Sequence, residues 1–453
     1  VMADWIVHGE PEYDLWKMDI RRFGRQYRSR RYASERAYEV YATYYDIHYP
    51  GEERQAGRPL KTAPTYARLQ ELGAEFGEKS GWERANWFRS NEDPSLGSLR
   101  PRGWAGEHWS TAIPAEHIAT RERAALFDES SFAKIEVSGR GAVGFLQRLC
   151  ANDVDREPGT VVYTQLLNSR GGIECDLTAT RLSEDRYLLV TGTAFGNHDL
   201  GWIRKQLGDG RSEGVAVRDV TGSMGCFGVW GPRSRDILSA VTPADLSNDA
   251  FPYMTAREIV VGDVPTLALR VTYVGELGWE LYPRVEFAGA LWDTLMTAGA
   301  PKGMIAAGYR AIDTLRLEKG YRAWSADITP EEHPFEAGLG FAVRMDVPGF
   351  MGNEALEHAV AAGLTRKLSC LTLTDARAMT LGNEPVFHDG RVVSRVTSGG
   401  IGYTVGRSIA YAYLPVELAL AGTSCEVEVF GERVPANVTN EPLWDPKGER
   451  IRA

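Results

Sequence analysis

Asp176 sits among Ile173, Cys175 and Leu177 in the stretch YTQLLNSRGGIECDLTATR, residues 163–181. Two apolar runs meet there at Ser-Arg-Gly-Gly, residues 169–172, and read as a hairpin. With that loop, Asn168 faces Ile173, Gln165 faces Asp176 and Tyr163 faces Thr178. Side chains alternate along strands, so Tyr163, Gln165, Asp176 and Thr178 share one face, while Val162, Leu166, Cys175 and Leu177 share the other and read as core. Tyr163 and Asp176 are diagonal neighbours, roughly 7–8 Å apart at the backbone, within reach of a tyrosine ring. A carboxylate beside a phenol and an amide can orient a ligand and accept a proton.

A related pattern stands in RVTYVGELGWELYP, residues 270–283, where Tyr273 and Glu280 flank a Gly-rich turn at 275–278. A four-residue loop places both on one face, beside Trp279 and Tyr282. A carboxylate there can accept two parallel N–H bonds from an amidine-like edge such as that of a pterin. Such a charge-assisted contact is worth roughly 1.5–3 kcal/mol. Spacing alone leaves both hairpins open to the plainer reading of a water-facing surface. A third motif, SGRGAVG at residues 138–144, has the form of a dinucleotide fingerprint. The chain after it runs into a turn-rich segment and a hairpin, which is not the parallel strand that such a site requires.

The elements that must position these residues mix helices and hairpins. KIEVSG, RYLLVTG and GCFGVWGP read as strands, and GAVGFLQRLCAND, GNHDLGWIRKQL, FAGALWDTLMTAG and GYRAIDTLRLEKG as helices. TYARLQELGAEFGEKSGW reads as a short amphipathic helix ended by glycine. Helices arriving between hairpins rather than between lone strands predict an α+β fold with antiparallel sheet. From 366 on, short strands with Gly and Asp-Gly turns predict a small barrel or sandwich. The predicted division is an aromatic and charged extension over 1–95, a two-lobed region over 96–365 and the all-β part over 366–453.

The 453 residues exceed one ordinary core. A net charge of −10 argues against a nucleic-acid face, and no run of eighteen apolar residues predicts a membrane span. The first residues lack a basic region followed by an apolar one, so no secretory signal is expected. Five scattered cysteines without C-x-x-C spacing read as reduced thiols of a cytoplasmic protein, and no metal site is expected.

Together ALFDESSFAKIEVSGRGAVGFLQRLCANDV, YTQLLNSRGGIECDL, YVGELGWELY, AIDTLRLEKGYRAW, PFEAGLGF and VTSGGIGYTVGRSIAYAYL resemble the folate-dependent aminomethyltransferase family of the glycine-cleavage T-protein. The resemblance runs over roughly residues 100 to 450. It implies a three-lobed ring around a central folate cavity, with a C-terminal β-barrel. Asp176 matches the acid near the folate nitrogens that carry the one-carbon unit, and Tyr163 a tyrosine lining the same cavity. Tyr273 and Glu280 match the pair that holds the pterin; Thr178 and Gln165 are supported only by their shared face. The nearest branch resembles the folate half of dimethylglycine and sarcosine dehydrogenases, whose flavin–folate junction is similar to residues 1–24 and 76–88. Ile312 stands where the glycine-cleavage branch has arginine, which argues against a lipoyl-protein role.

The resemblance implies tetrahydrofolate as one-carbon acceptor, with no FAD or NAD site expected in this chain. Two reactions follow. The favoured one is direct transfer of a methyl group from a small O-, N- or S-methyl compound, giving 5-methyl-tetrahydrofolate. The other is capture of an iminium carbon, made by a flavoprotein partner, as 5,10-methylene-tetrahydrofolate. Trp104, Trp109 or Trp324 are candidates for an apolar wall, and His117 or His108 for a general acid toward the leaving group. The oligomeric state is open.

Overall fold

The computed structural model describes residues 2–9, 13–208, 214–347 and 349–453; residues 1 and 10–12 of the expected extension fall outside these. The first sheet has five strands in the order Val161–Leu167, Ile173–Ser183, Arg186–Thr191, Ala133–Ser138 and Ala216–Asp219, all antiparallel. Burial alternates along Ile173–Ser183. Cys175, Leu177 and Ala179 therefore enter a core with Phe145 and Leu146 of helix Ala142–Leu149 and Ile203 of helix Gly196–Leu207. Residues of the other face, Val161, Leu188 and Val190, pack against a second sheet.

That second sheet has six strands, in the order Ala256–Val261, Val264–Leu269, Gly278–Pro283, Phe227–Trp230, Ala125–Asp128 and Ile305–Ala307. Its last pair is parallel. Phe227, Val229, Trp279 and Leu281 point to a core under helix Ala288–Gly299. Cys226 and Tyr282 alternate to the opposite side and meet Val161, Leu188 and Val190 of the first sheet. The polar faces of both hairpins thus look into the space between the sheets rather than outward to solvent.

The stretch expected to form one helix over 65–82 splits. Only Tyr66–Glu71 is helical, and Ala74–Lys79 pairs with Trp82–Phe88. Gly73 at φ +77° stops the helix, and Ser80 and Gly81, both at positive φ, make the two-residue turn that matches strand twist. Leu69, Ala74, Ala85 and Phe88 join the core of the second sheet. In SGRGAVG, the strand Ala133–Ser138 is antiparallel to both neighbours, so no dinucleotide crossover exists. Gly139 is needed because a Cβ there would lie 2.0 Å from the Gly214 carbonyl.

The C-terminal strands close a six-stranded barrel, with Arg366–Leu373 pairing both Arg407–Pro415 and Glu432–Thr439. Closure removes the edges that short strands would otherwise expose. Leu371, Val386, Val396, Ala410, Val427 and Val438 fill its interior. Helix Tyr309–Lys319 docks the barrel: Glu318 accepts the Thr404 and Val405 amides at 2.8 and 3.1 Å, and Leu317 packs on Leu368, Ile409 and Tyr411.

Candidate active site between two facing sheets

The hairpin carrying Asp176 pairs Gln165 with Asp176 and Tyr163 with Thr178, as its alternation predicts. Its tip differs. Leu167, not Asn168, pairs with Ile173, and a bulge separates that pair from Leu166–Cys175. Asn168 instead closes the loop: its Oδ1 accepts the Arg170 and Gly172 amides, both at 2.9 Å. An asparagine side chain mimicking backbone here outcompetes one more ladder pair. The tip is clamped by the segment that follows helix Tyr309–Lys319. Trp324 Nε1 donates to the Ile173 carbonyl at 3.1 Å, the Ile173 amide donates to Glu332 O at 2.9 Å, and a Cβ on Gly172 would sit 2.0 Å from the Pro330 carbonyl.

Gln165 Nε2 donates to Asp176 Oδ1 at 2.9 Å, and the Tyr163 phenol beside the acid also favours its charged form. Burial pushes the Asp176 carboxyl up to about 6, against the lowering effect of Gln165 and Tyr163. Asp176 and Tyr163 are nevertheless only half-buried. Thr178 shares their face, in register with Tyr163 and Val190. Phe341 stacks on Tyr163 with ring centroids 6.2 Å apart. Gln165 is fully buried, and its Oε1 has no hydrogen-bond partner among the described residues.

Tyr273 and Glu280 come to the same space by a different route from the expected tight hairpin. Leu269 pairs with Glu280, so 270–277 is an eight-residue connection rather than a four-residue loop. The ladder breaks because the Arg270 guanidinium is buried and donates to the Phe251 carbonyl at 2.7 Å. Thr272 Oγ1 then accepts the Val274 and Gly275 amides at 3.2 and 3.1 Å and turns the chain. Tyr273 lies on this connection, donates to the Arg322 carbonyl at 2.7 Å and stacks on Tyr321 at 5.8 Å. Burial pushes its phenol up, and the charge of Asp176 adds to the effect. Glu280, in its strand, accepts the Tyr282 hydroxyl at 2.5 Å. Burial raises its carboxyl, and Tyr282 and Lys134 pull the other way.

Other candidates lie elsewhere. His117 is fully buried, its ring nitrogens 2.8 Å from Thr314 Oγ1 and 2.7 Å from Thr404 Oγ1, and Glu318 lies 3.3 Å away. It ties helix Ala112–Glu122 to the barrel and does not reach Asp176. Trp109 donates to Tyr403 Oη at 2.9 Å and, with His108, lines a separate surface cleft of about 860 Å³ beside Phe76 and Trp87. Trp104 is exposed against Tyr49 and Phe430. Trp324 is buried, and its Nε1 holds the hairpin tip. Tyr321 and Phe341 are site neighbours that spacing alone did not single out. Cys175, His198 and Asp199 bring donor atoms within 4.8 Å of one another, where His198 Nδ1 already meets Asp199 Oδ1 at 2.9 Å.

Comparison with known proteins gives this geometry a family. Residues 65–347 match the GCVT N-terminal domain and 366–445 the glycine cleavage T-protein C-terminal barrel domain. Residues 8–63 match the FAD dependent oxidoreductase central domain. The chain is 38% identical over its whole length to 4-methylaminobutanoate oxidase (formaldehyde-forming) of Paenarthrobacter nicotinovorans, and 36% to mitochondrial dimethylglycine dehydrogenase of Rattus norvegicus. It covers 54% and 52% of those two proteins, so it spans about half the length of these relatives. It is also 35% identical, over 85% of its length, to the whole aminomethyltransferase of Halothermothrix orenii. The glycine cleavage system aminomethyltransferase T of Bartonella henselae superposes with a TM-score of 0.73 at 28% identity, covering 85% of this chain and 99% of that one. No helix among the described residues is long and apolar enough to cross a membrane. The chain belongs to the folate-dependent aminomethyltransferase family of the glycine-cleavage T-protein.

Proposed function

We propose that this chain binds tetrahydrofolate between the two facing sheets and captures there, as 5,10-methylene-tetrahydrofolate, the carbon released when a small N-methyl amine is oxidised. The observation that carries the reading is Asp176: a half-buried carboxyl raised to about 6, held by Gln165 beside Tyr163 on the face that looks toward the second sheet. The surroundings fit a reduced pterin, which presents N–H donors. Gln165 Oε1 is a buried acceptor without a donor among the described residues, Glu280 is a buried carboxyl, and Tyr273 with Tyr321 offers stacked rings.

Reduced folate supplies two nucleophilic nitrogens. Asp176 takes the proton that one of them loses as it bonds to the iminium carbon, and the buried face around it excludes bulk water. A carboxylate titrating near 6 is ionised and yet basic enough for that work at neutral pH. The balance is an iminium plus tetrahydrofolate giving the free amine, 5,10-methylene-tetrahydrofolate and one proton. Positioning by Tyr163, Tyr273 and Glu280 would supply much of the rate, up to roughly 7–11 kcal/mol for well-oriented partners.

This reverses the order favoured from sequence. Direct methyl transfer is the expectation for a chain that resembles a flavin–folate junction and a folate half but offers no flavin site of its own. Residues 8–63, however, match a flavin oxidoreductase domain, and two of the relatives named above are an oxidase and a dehydrogenase. The oxidation is then the work of a flavin-bearing part, in the same polypeptide or in a partner protein. The test is mass spectrometry of the folate after anaerobic incubation with tetrahydrofolate, a panel of methylated compounds and, in parallel, a flavin amine dehydrogenase. Formation of 5,10-methylene-tetrahydrofolate only with the dehydrogenase supports the reading. Formation of 5-methyl-tetrahydrofolate without it overturns the reading.

A further inference from the structure

Glu129 follows strand Ala125–Asp128 directly, and its amide donates to the Cys226 carbonyl at 2.8 Å. That bond extends the pairing of Asp128 with Phe227 by one residue, so Glu129 projects from the same face as Cys226. Phe227 also pairs with Leu281, and Gly228 with Glu280. Tyr282 and Glu280 therefore share that face too. Three adjacent strands thus bring Glu129 and Glu280 to one side of the sheet, separated by the small Cys226 and Gly228. It is the side that meets the five-stranded sheet through Cys226 and Tyr282.

Glu129 is fully buried, and neither carboxyl oxygen has a hydrogen-bond partner among the described residues. Buried polar groups are nearly always paired, so an orphaned carboxyl marks a place where a partner arrives. The surrounding charges do not fill the role. Lys134 Nζ donates to the carbonyls of Ser130 and Phe132 at 3.0 and 2.9 Å. Asp128 accepts the Ser130 amide at 2.8 Å and the Thr65 hydroxyl. The Arg84 guanidinium lies over the Tyr309 ring, 3.6 Å from its centroid. Glu280 is spoken for on one oxygen by Tyr282.

We propose that Glu129 is a second carboxyl of the ligand site, binding with Glu280 the donor-rich edge of a 2-amino-4-oxo heterocycle. The inference rests on the reading that this cavity takes a reduced pterin, and it adds a residue that recognises the ring. Two carboxyls this close repel when both are charged, and burial disfavours charge further, so the pair retains a proton. A neutral carboxyl beside an ionised one offers both an acceptor and a donor, which matches a ring edge carrying amino, N–H and carbonyl groups in a row.

The test is calorimetric binding of 5-formyl-tetrahydrofolate, and of its analogue lacking the 2-amino group, to wild type, Glu129→Leu, Glu129→Gln and Glu280→Ala, each with a thermal melt. Glu129→Leu should weaken the full ligand by at least about tenfold with an unchanged or raised melting temperature, since an unpaired carboxyl gives way to an apolar group. The preference for the 2-amino compound should shrink in the same variant. Glu129→Gln keeps the shape and reads the same contrast should leucine prevent folding. Folded variants that bind both compounds within twofold of wild type would overturn the assignment of Glu129 while Glu280→Ala still loses binding. Wild type that binds neither compound would overturn the pterin reading itself.

Discussion

Gln165 and Asp176 stand directly opposite each other across an antiparallel pair, and the Gln165 amide donates to the carboxylate at 2.9 Å. The glutamine is fully buried and the acid is not. The amide therefore fixes one carboxylate oxygen from beneath and leaves the acid half-buried on the face that looks toward the second sheet. It also works against burial, which alone would drive the carboxyl still higher.

Asp176→Asn should lower turnover by roughly 10²–10⁴-fold, the range for loss of a positioned acid–base group. Folate affinity should change far less. The folded carboxyl is raised from 3.8 to about 6, so ionising it costs stability as pH rises through that window and the full cost is present above it. The amide variant escapes this cost. Its melting temperature should match wild type near pH 4 and exceed it at pH 8, by up to about 3 kcal/mol in stability. Calorimetric melts at both pH values check this.

Gln165→Leu removes a hydrogen bond that favours the charged acid. The Asp176 carboxyl should then rise further, and the limb of the pH–rate profile expected near 6 in wild type should move to higher pH. Single-turnover rates between pH 5 and 9 measure it. An unshifted limb would mean that another group titrates.

Glu280→Ala should weaken binding of reduced folate by roughly 1.5–3 kcal/mol, about 10- to 150-fold, with the smaller loss in turnover at saturating folate. Equilibrium titration of the folded variant separates the two quantities. Tyr282→Phe should give a weaker version of the same change, since it removes the hydroxyl that holds one Glu280 oxygen.

His117→Ala should act on stability rather than chemistry. Burial raises Glu318, but His117, Arg121 and the Val405 amide outweigh it and hold the carboxyl down at about 2. Removing His117 leaves a fully buried carboxylate short of one partner, at a cost of roughly 3–5 kcal/mol. Because the folded carboxyl is depressed, its stabilising effect is present above about 4.5 and lost as pH falls toward 2. Denaturant melts should show the loss, with turnover per folded molecule unchanged.

The shared face of Tyr163, Gln165, Asp176 and Thr178 was legible because strand alternation is a local rule with period two. So were the strands and helices around it and the closed barrel. The bulge at Leu166–Leu167 was not, because it depends on Asn168 folding back on its own loop. The connection that carries Tyr273 was missed for a similar reason. TLALRVTY alternates well enough to continue as strand, and only the tertiary burial of Arg270 ends it. Trp109 and His117 have the chemistry of site residues, yet they bond Tyr403 and the Thr314 and Thr404 hydroxyls, a tertiary placement that periodicity does not encode. That the polar faces meet a second sheet instead of water is likewise a fact of packing between lobes.

The account's central claim is that Asp176 serves capture of an oxidised one-carbon unit. The most direct measurement is single-turnover ¹³C tracing from an N-[¹³C]methyl amine, with tetrahydrofolate and a flavin amine dehydrogenase, in wild type and Asp176→Asn. The account predicts ¹³C in 5,10-methylene-tetrahydrofolate with wild type, at a rate above the uncatalysed condensation, and a fall toward the uncatalysed rate in the variant with folate still bound. Equal rates in the two proteins, or label in 5-methyl-tetrahydrofolate with no dehydrogenase added, would contradict it.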